Sequence, residues 1–158
     1  MKPSQLAKAS EHSHQVALFA WCAIAYKFGF GVANAMDKGE VPPANEPVPA
    51  LEWIHAIHNQ GHGDAVRGAH AKAEGVRSGV ADIFLPWPVY PNASQITCGL
   101  YIELKTPDKK PKVNGKGGLS DEQISFGKYA NSVGYCWKVC YGWREAADMI
   151  EKYLKGEL

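Results

Sequence analysis

Glu103, Leu104 and Lys105 close an apolar run that begins at Ile96. Side chains alternate along a strand, so Glu103, Lys105 and Tyr101 share one face, and Leu100, Ile102 and Leu104 share the other. A carboxylate and an ammonium then reach one site while Leu104 anchors the core. Alone, this pair is better explained as a strand end leaving the core with a surface ion pair worth ~0–1 kcal/mol. Asp82 changes the balance. It stands in an apolar stretch, 79–85, where acids are depleted and rarely buried without a partner. If that stretch pairs as a hairpin with 96–105, Asp82 meets Glu103. Two close carboxylates repel unless a cation joins them, and oxygen ligands select hard ions such as Mg²⁺ or Mn²⁺. Such an ion orients water and stabilises charge on a transferring phosphoryl group. Lys105 would hold or deprotonate the attacking water, or offset phosphate charge.

The elements that must position these residues follow from pattern and punctuation. Ser10 is an N-cap for a helix running to about Lys27, which Phe28, Gly29, Phe30 and Gly31 end. Four prolines make 37–50 a loop. Residues 51–58 read as a strand with Leu51, Trp53, His55 and Ile57 on one face. A turn over 59–63 precedes a short helix over 64–74, and 80–85 is a strand stopped by Pro86 and Pro88. Residues 96–105 form the clearest strand, and 106–118 a Lys/Gly/Pro loop. Ser120 and Gln123 make a capping box for a helix to about Val133, closed by Gly134. A strand over 135–141 and a helix over 143–154 complete the chain, the helix with Ala146, Met149, Ile150 and Tyr153 at helical spacing. This order predicts an α/β fold, a mixed β-sheet flanked by helices.

Length and composition set the limits. The 158 residues fit a single domain, 1–158, able to bury roughly 68–70% of its unfolded surface. No run of about 18 apolar residues is seen, so no membrane span is expected. The N-terminus lacks a signal-peptide pattern, which points to an intracellular, cytoplasmic setting. Cys22, Cys98, Cys136 and Cys140 form no Cys-x-x-Cys pair and read as reduced, buried thiols. Net charge is +1, but five lysines and one acid, Asp108, occupy 105–116. That is a local basic loop.

The strand acid followed by an acid-x-Lys on the next strand resembles the PD-(D/E)xK nuclease pattern. More narrowly, the chain resembles the virus-type replication-repair nuclease domain, VRR-NUC. The matching stretches are AEGVRSGVADIFLP (73–86), GLYIELK (99–105), GGLSDEQ (117–123) and GYCWKVCYGWREAADMIEKYL (134–154), with AIHNQGHGDAVRGAHAK (56–72) upstream. Their order matches the family's, which makes the likeness specific. It implies a restriction-endonuclease-like fold and metal-dependent hydrolysis of DNA phosphodiesters. Asp82 then matches the metal-binding acid, Glu103 the second acid and Lys105 the catalytic lysine. The Leu104 backbone carbonyl matches a position that completes the metal shell. Gln123 matches the helix glutamine near the site, and Glu11, one turn before Gln15, the N-terminal helix acid. The family's usual proline before the first acid is Ala81 here. Stand-alone members look like phage-type homodimers, so the resemblance also implies a phage-encoded protein in a bacterial host and branched DNA such as four-way (Holliday) junctions. The alternative is a non-catalytic DNA-binding module of a phage replication or repair complex.

The remaining candidates have bland competitors. Gln123 serves equally as the capping partner of Ser120, and Glu11 as a helix N-terminal acid favoured by the dipole. Arg67, Lys72 and Arg77, with Lys109, Lys110, Lys112 and Lys116, would bracket DNA through phosphate contacts; the competing reading is a solvated surface. His12, His14, His55, His58, His62 and His70 suggest a His-metal site, but His55 and His58 fall on opposite strand faces and no zinc spacing appears. His62, between two glycines, reads as a turn residue or a DNA contact. Trp87, Tyr90 and Trp143 suit either core or interface.

Overall fold

The computed structural model describes residues 9–41, 45–58, 65–111 and 115–158, with 65–68 described by backbone alone. The elements in chain order are α1 (Glu11–Lys38), a 3-10 turn (Pro49–Trp53), β1 (His55–Ala56), α2 (Ala65–Ala73), β2 (Ile83–Leu85), β3 (Val89–Asn92), β4 (Gln95–Thr97), β5 (Leu100–Lys105), a 3-10 turn (Pro107–Lys109), α3 (Asp121–Ser132), β6 (Cys136–Tyr141) and α4 (Trp143–Leu154).

A four-stranded mixed sheet runs β1-β2-β5-β6. β1 pairs with β2 and β2 with β5 in antiparallel fashion, while β5 and β6 are parallel. Alternation sorts β5 as its sequence predicts. Leu100, Ile102 and Leu104 join Ile83, Leu85 and Cys140 under α1 and α4, where Leu18, Trp21, Cys22, Ala146 and Ile150 complete the core. α4 supplies a continuous apolar stripe. The Tyr153 hydroxyl bridges the carbonyls of Trp87 (2.7 Å) and Thr97 (3.2 Å), tying the β3–β4 hairpin to this core.

The opposite face of the sheet carries Phe84, Tyr101, Glu103 and Trp137. Here α3 lies across it. Its start is set by the capping box: the Ser120 hydroxyl accepts from the Gln123 N–H (3.2 Å), and the Gln123 side-chain oxygen accepts from the Ser120 N–H (2.9 Å). Gly127 lets the helix approach, because a Cβ there would lie 2.4 Å from the Trp137 ring. The Tyr101 and Phe126 rings meet edge to face at 5.1 Å.

Four sequence expectations need correction. The first helix does not end near Gly31. Gly29 takes φ +86° and kinks it, and helix resumes to Lys38, held to α4 by Arg144–Asp37 (3.2 Å), Arg144–Asn34 (2.8 Å) and Asn34–Glu151 (3.1 Å). A Cβ at Gly29 would also lie 2.3 Å from the Glu46 carbonyl oxygen. Second, the premise that no stretch approaches the length and apolarity of a membrane span does not hold for α1, which meets both by length and composition alone. That apolar character is used here to bury Leu18, Trp21, Cys22 and Ala25 against the sheet and α4. Third, residues 51–58 are not one strand. Leu51 and Trp53 belong to the 3-10 turn, and pairing is confined to His55 and Ala56. Fourth, the run 96–105 is broken at Cys98 and Gly99, so that β4 pairs with β3 and only β5 joins the main sheet. Glycine suits the break, since a Cβ at Gly99 would lie 2.7 Å from the Phe84 ring. Likewise Cys98 is exposed, whereas Cys22 and Cys140 are buried. Burial pushes both of those thiols up to about 12.

The α3 contact yields a test. Gly127→Ala should lower the melting temperature by about 3–10 °C, the cost of forcing a methyl group into a packed contact. Circular-dichroism melting reads the effect, and an unchanged midpoint would show that α3 does not sit tightly on Trp137.

Candidate active site

The β2–β5 register places Ile83 opposite Ile102, so one step further Asp82 stands opposite Glu103. The Asp82 Oδ2 accepts the Leu104 N–H at 2.8 Å, and the Asp82 carbonyl accepts the Ile57 N–H at 2.7 Å. The acid is thereby fixed by strands on both sides. The approach of its chain segment depends on Gly79, at φ +83°, where a Cβ would lie 2.6 Å from the Glu122 backbone. That close passage brings the start of α3 to the acid pair.

Glu103 is fully buried, at 0% exposure, and Lys105 is 7% exposed. Lys105 Nζ lies 2.7 Å from Glu103 Oε1, and the Gln123 amide nitrogen donates to the same oxygen. Gln123 therefore does two things at once: its oxygen caps α3 and its nitrogen holds Glu103. Glu103 Oε2 is buried and accepts no hydrogen bond. The carboxyl nearest in charge is Asp82, with which it can bond only if one of the two carries a proton.

The electrostatics follow. Burial and then the Asp82 charge push the Glu103 carboxyl up to about 7, against the pull of Lys105. Asp82 is also raised, by burial, against the Leu104 N–H and Lys105. For Lys105, burial favours the neutral amine, but the bond to Glu103 and the charges of Glu103, Glu11 and Asp82 outweigh it and raise its pKa. Lys105 is thus an ammonium at neutral pH and cannot itself take a proton from water. Of the roles read from sequence, holding water and offsetting phosphate charge are compatible with that state.

A divalent ion fits this donor set. Two facing carboxylates, one with a buried oxygen lacking a donor, suit a hard cation that replaces the shared proton. Among the described residues no group of three His, Cys, Asp or Glu side chains is arranged to hold a metal. Asp82 and Glu103 would therefore need backbone, water or substrate oxygens to complete a shell, as Mg²⁺ commonly does. The same observation gives no support to a histidine site. His14 is buried instead beneath Trp143, whose N–H lies 3.3 Å from its Nδ1.

The other candidates divide. Glu11 comes near enough for its charge to act on both Asp82 and Lys105, and it pairs with Lys109 at 2.8 Å. The basic loop is less free than its composition suggests: Lys110 pairs with Glu145 at 2.8 Å and Lys116 with Asp121 at 2.6 Å. Lys72 and Arg77 are exposed. Lys112 and His62 lie outside the described residues, and Arg67 falls on α2, described by backbone alone. Trp143 is buried, whereas Trp87 and Tyr90 are exposed. An aromatic cluster of Phe84, Tyr101, Tyr135 and Phe126 beside the acids went unnoticed in the sequence. The alternation of Phe84 with Asp82, and of Tyr101 with Glu103, was the available signal.

No protein-family model and no curated protein matches the sequence. Among solved structures, the fold is similar to a "VRR_NUC domain protein", with a TM-score of 0.57 and 20% identity, over 93% of this chain and 89% of that chain. At this identity the likeness establishes the fold: a restriction-endonuclease-like mixed sheet flanked by helices.

The raised Glu103 pKa sets a pH dependence. Its folded value, about 7, exceeds the unfolded 4.5, so its contribution to stability is complete below the unfolded pKa. It is lost as pH rises through the folded one. Without metal, the melting temperature should fall by roughly 5 °C between about pH 5 and pH 8, and Glu103→Gln should flatten the fall. Mg²⁺ or Mn²⁺ should raise it more at the upper pH. A metal-free profile indifferent to Glu103→Gln would contradict a strained carboxyl pair.

Proposed function

We propose that this fold carries a metal-dependent DNA nuclease of the VRR-NUC type, with Asp82, Glu103 and Lys105 at its centre. The observation that carries the reading is the facing of two largely buried carboxyls, Asp82 and Glu103, beside an ammonium. A binding module has no use for paired acids presented to a polyanion. Asp82, Glu103 and the Leu104 carbonyl would hold Mg²⁺ or Mn²⁺. When bound, such an ion supplies Lewis-acid stabilisation of a phosphoryl oxygen and a more acidic water.

The chain's own residues do the rest. Gln123 and Lys105 hold Glu103 through its Oε1, leaving Oε2 without a donor and available to an ion. Lys105 offsets charge on the phosphate and positions the attacking water. Glu11 adds a negative charge that keeps Lys105 protonated, and Lys109 restrains Glu11. Lys72, Arg77 and the lysines of the loop, once released from their surface acids, offer phosphate contacts whose strength falls with salt. Exchange is inexpensive, since exposed ion pairs are worth ~0–1 kcal/mol. We further propose branched DNA, including four-way junctions, cut by a homodimer inside a bacterial cell. That substrate and assembly rest on the VRR-NUC likeness.

Asp82→Ala and Lys105→Ala should each reduce Mn²⁺-dependent cleavage by about 10²-fold or more while leaving a cooperative melt. Gel assays on four-way junction, flap, linear duplex and single-stranded DNA, with Mg²⁺, Mn²⁺ or EDTA, measure this. Cleavage at wild-type rates in either variant would remove the assignment.

A further inference from the structure

A shallow concavity lies beside the acid pair, along α3. It has a volume of about 490 Å³ and is lined by Arg77, Ser78, Val80, Asp121, Glu122, Ser125, Phe126 and Tyr129. Three links join it to the site. Val80 precedes Asp82 by two residues. Glu122, packed against Gly79, is followed by Gln123, which holds Glu103. Phe126 presents its ring both to the pocket and to Tyr101, which stacks on Phe84 at 4.3 Å.

The lining selects a kind of ligand. Its open volume has room for a planar group such as a nucleobase. Tyr129 is 63% exposed and, with Phe126, offers an aromatic surface for stacking. Two carboxylates, Asp121 and Glu122, accept N–H donors and repel phosphate. Of the two, Asp121 already holds Lys116 at 2.6 Å. Arg77, exposed at the rim and in no ion pair with a described residue, can take the phosphate attached to the planar group. A nucleobase with amino or imino N–H groups meets all of these demands, and a phosphate alone meets only the last. Within a duplex those N–H groups and ring faces are engaged by pairing and stacking, so the base must be unpaired.

We infer that this pocket receives an unpaired nucleobase of the DNA strand lying across the acid pair, so that the enzyme prefers DNA carrying unpaired nucleotides. This inference rests on the nuclease reading for its substrate, but on different residues. The test uses the full chain with Ca²⁺ and two fluorescent duplexes, identical except for one bulged nucleotide. Fluorescence anisotropy should show the bulged duplex bound about fivefold to a hundredfold more tightly. Tyr129→Ala, which removes the stacking ring, and Ser125→Trp, which fills the pocket, should each reduce that preference to about twofold or less, with melting temperatures near wild type. Equal affinity for both duplexes, or a preference that survives both substitutions, overturns the pocket. So does loss of the bulge preference to a competing free nucleoside monophosphate in the wild type with no effect of either substitution. Mn²⁺ cleavage of the same duplexes separates the two ideas. Indiscriminate cleavage leaves the nuclease and removes the pocket, whereas bulge preference without any cleavage leaves the pocket and removes the nuclease.

Discussion

Asp82 and Glu103 face each other in a place where neither can be well hydrated. Like charges at close range, largely removed from water, cannot both ionise freely, and the raised carboxyl of Glu103 records that conflict. The surrounding structure relieves that conflict only in part, through Lys105 and the Leu104 N–H. The β2–β5 ladder fixes the two backbones, the Leu104 N–H fixes one carboxyl, and Lys105 with Gln123 fixes the other. Glu103 Oε2 is buried and left without a donor. A site held in this way is preorganised for a cation, because the repulsion that a cation relieves is already present before it arrives.

Rigidity comes from the other side of the sheet. The segments that present charged residues to the site also insert apolar ones into the core: Ile83 and Leu85 on β2, directly after Asp82, and Leu100, Ile102 and Leu104 on β5. A slip of one residue in that register would turn Glu103 toward α1 and α4 and take Leu104 out of the core there, an exchange the core would strongly resist. Hydrophobic packing thus enforces an electrostatic arrangement that would not assemble alone. α3 contributes differently. It is brought to the opposite face by Gly127 against Trp137 and by Gly79 against Glu122, and it brings Gln123 and the aromatic ring of Phe126 with it.

The surface charge has its own logic. The lysines following β5 are paired with acids, two of them distant in the chain, Glu11 for Lys109 and Glu145 for Lys110, and one close by, Asp121 for Lys116. These weak contacts organise the loop around the site at little energetic cost to undoing them. They also explain how a chain of net charge +1 can hold a basic segment close to two acids without a uniformly positive face.

Strand β5, the capping box of α3, β6 and α4 were legible in the amino-acid sequence, because alternation, caps and helical periodicity are local signals. So was the pairing of Asp82 with Glu103, since period-two alternation puts an acid on the same face of each strand once the strands are neighbours. Local signals failed where distant contacts decided the outcome. Gly29 looks like a terminator, yet the helix resumes because Asn34 and Asp37 find Arg144 and Glu151 on α4. The apolar 96–105 run looks continuous, yet its first half pairs with β3 and only its second half joins the main sheet. Residue types and spacing alone established which groups could do chemistry and which strand faces they occupy. Only the tertiary structure decided that Gln123 serves both cap and site, that the basic loop is neutralised in part by remote acids, and that Lys105 stays charged. Each of these depends at least in part on groups distant in the chain, Glu103 for Gln123, Glu11 and Glu145 for the loop, and Glu11 and Asp82 for Lys105, and no local periodicity encodes that distance.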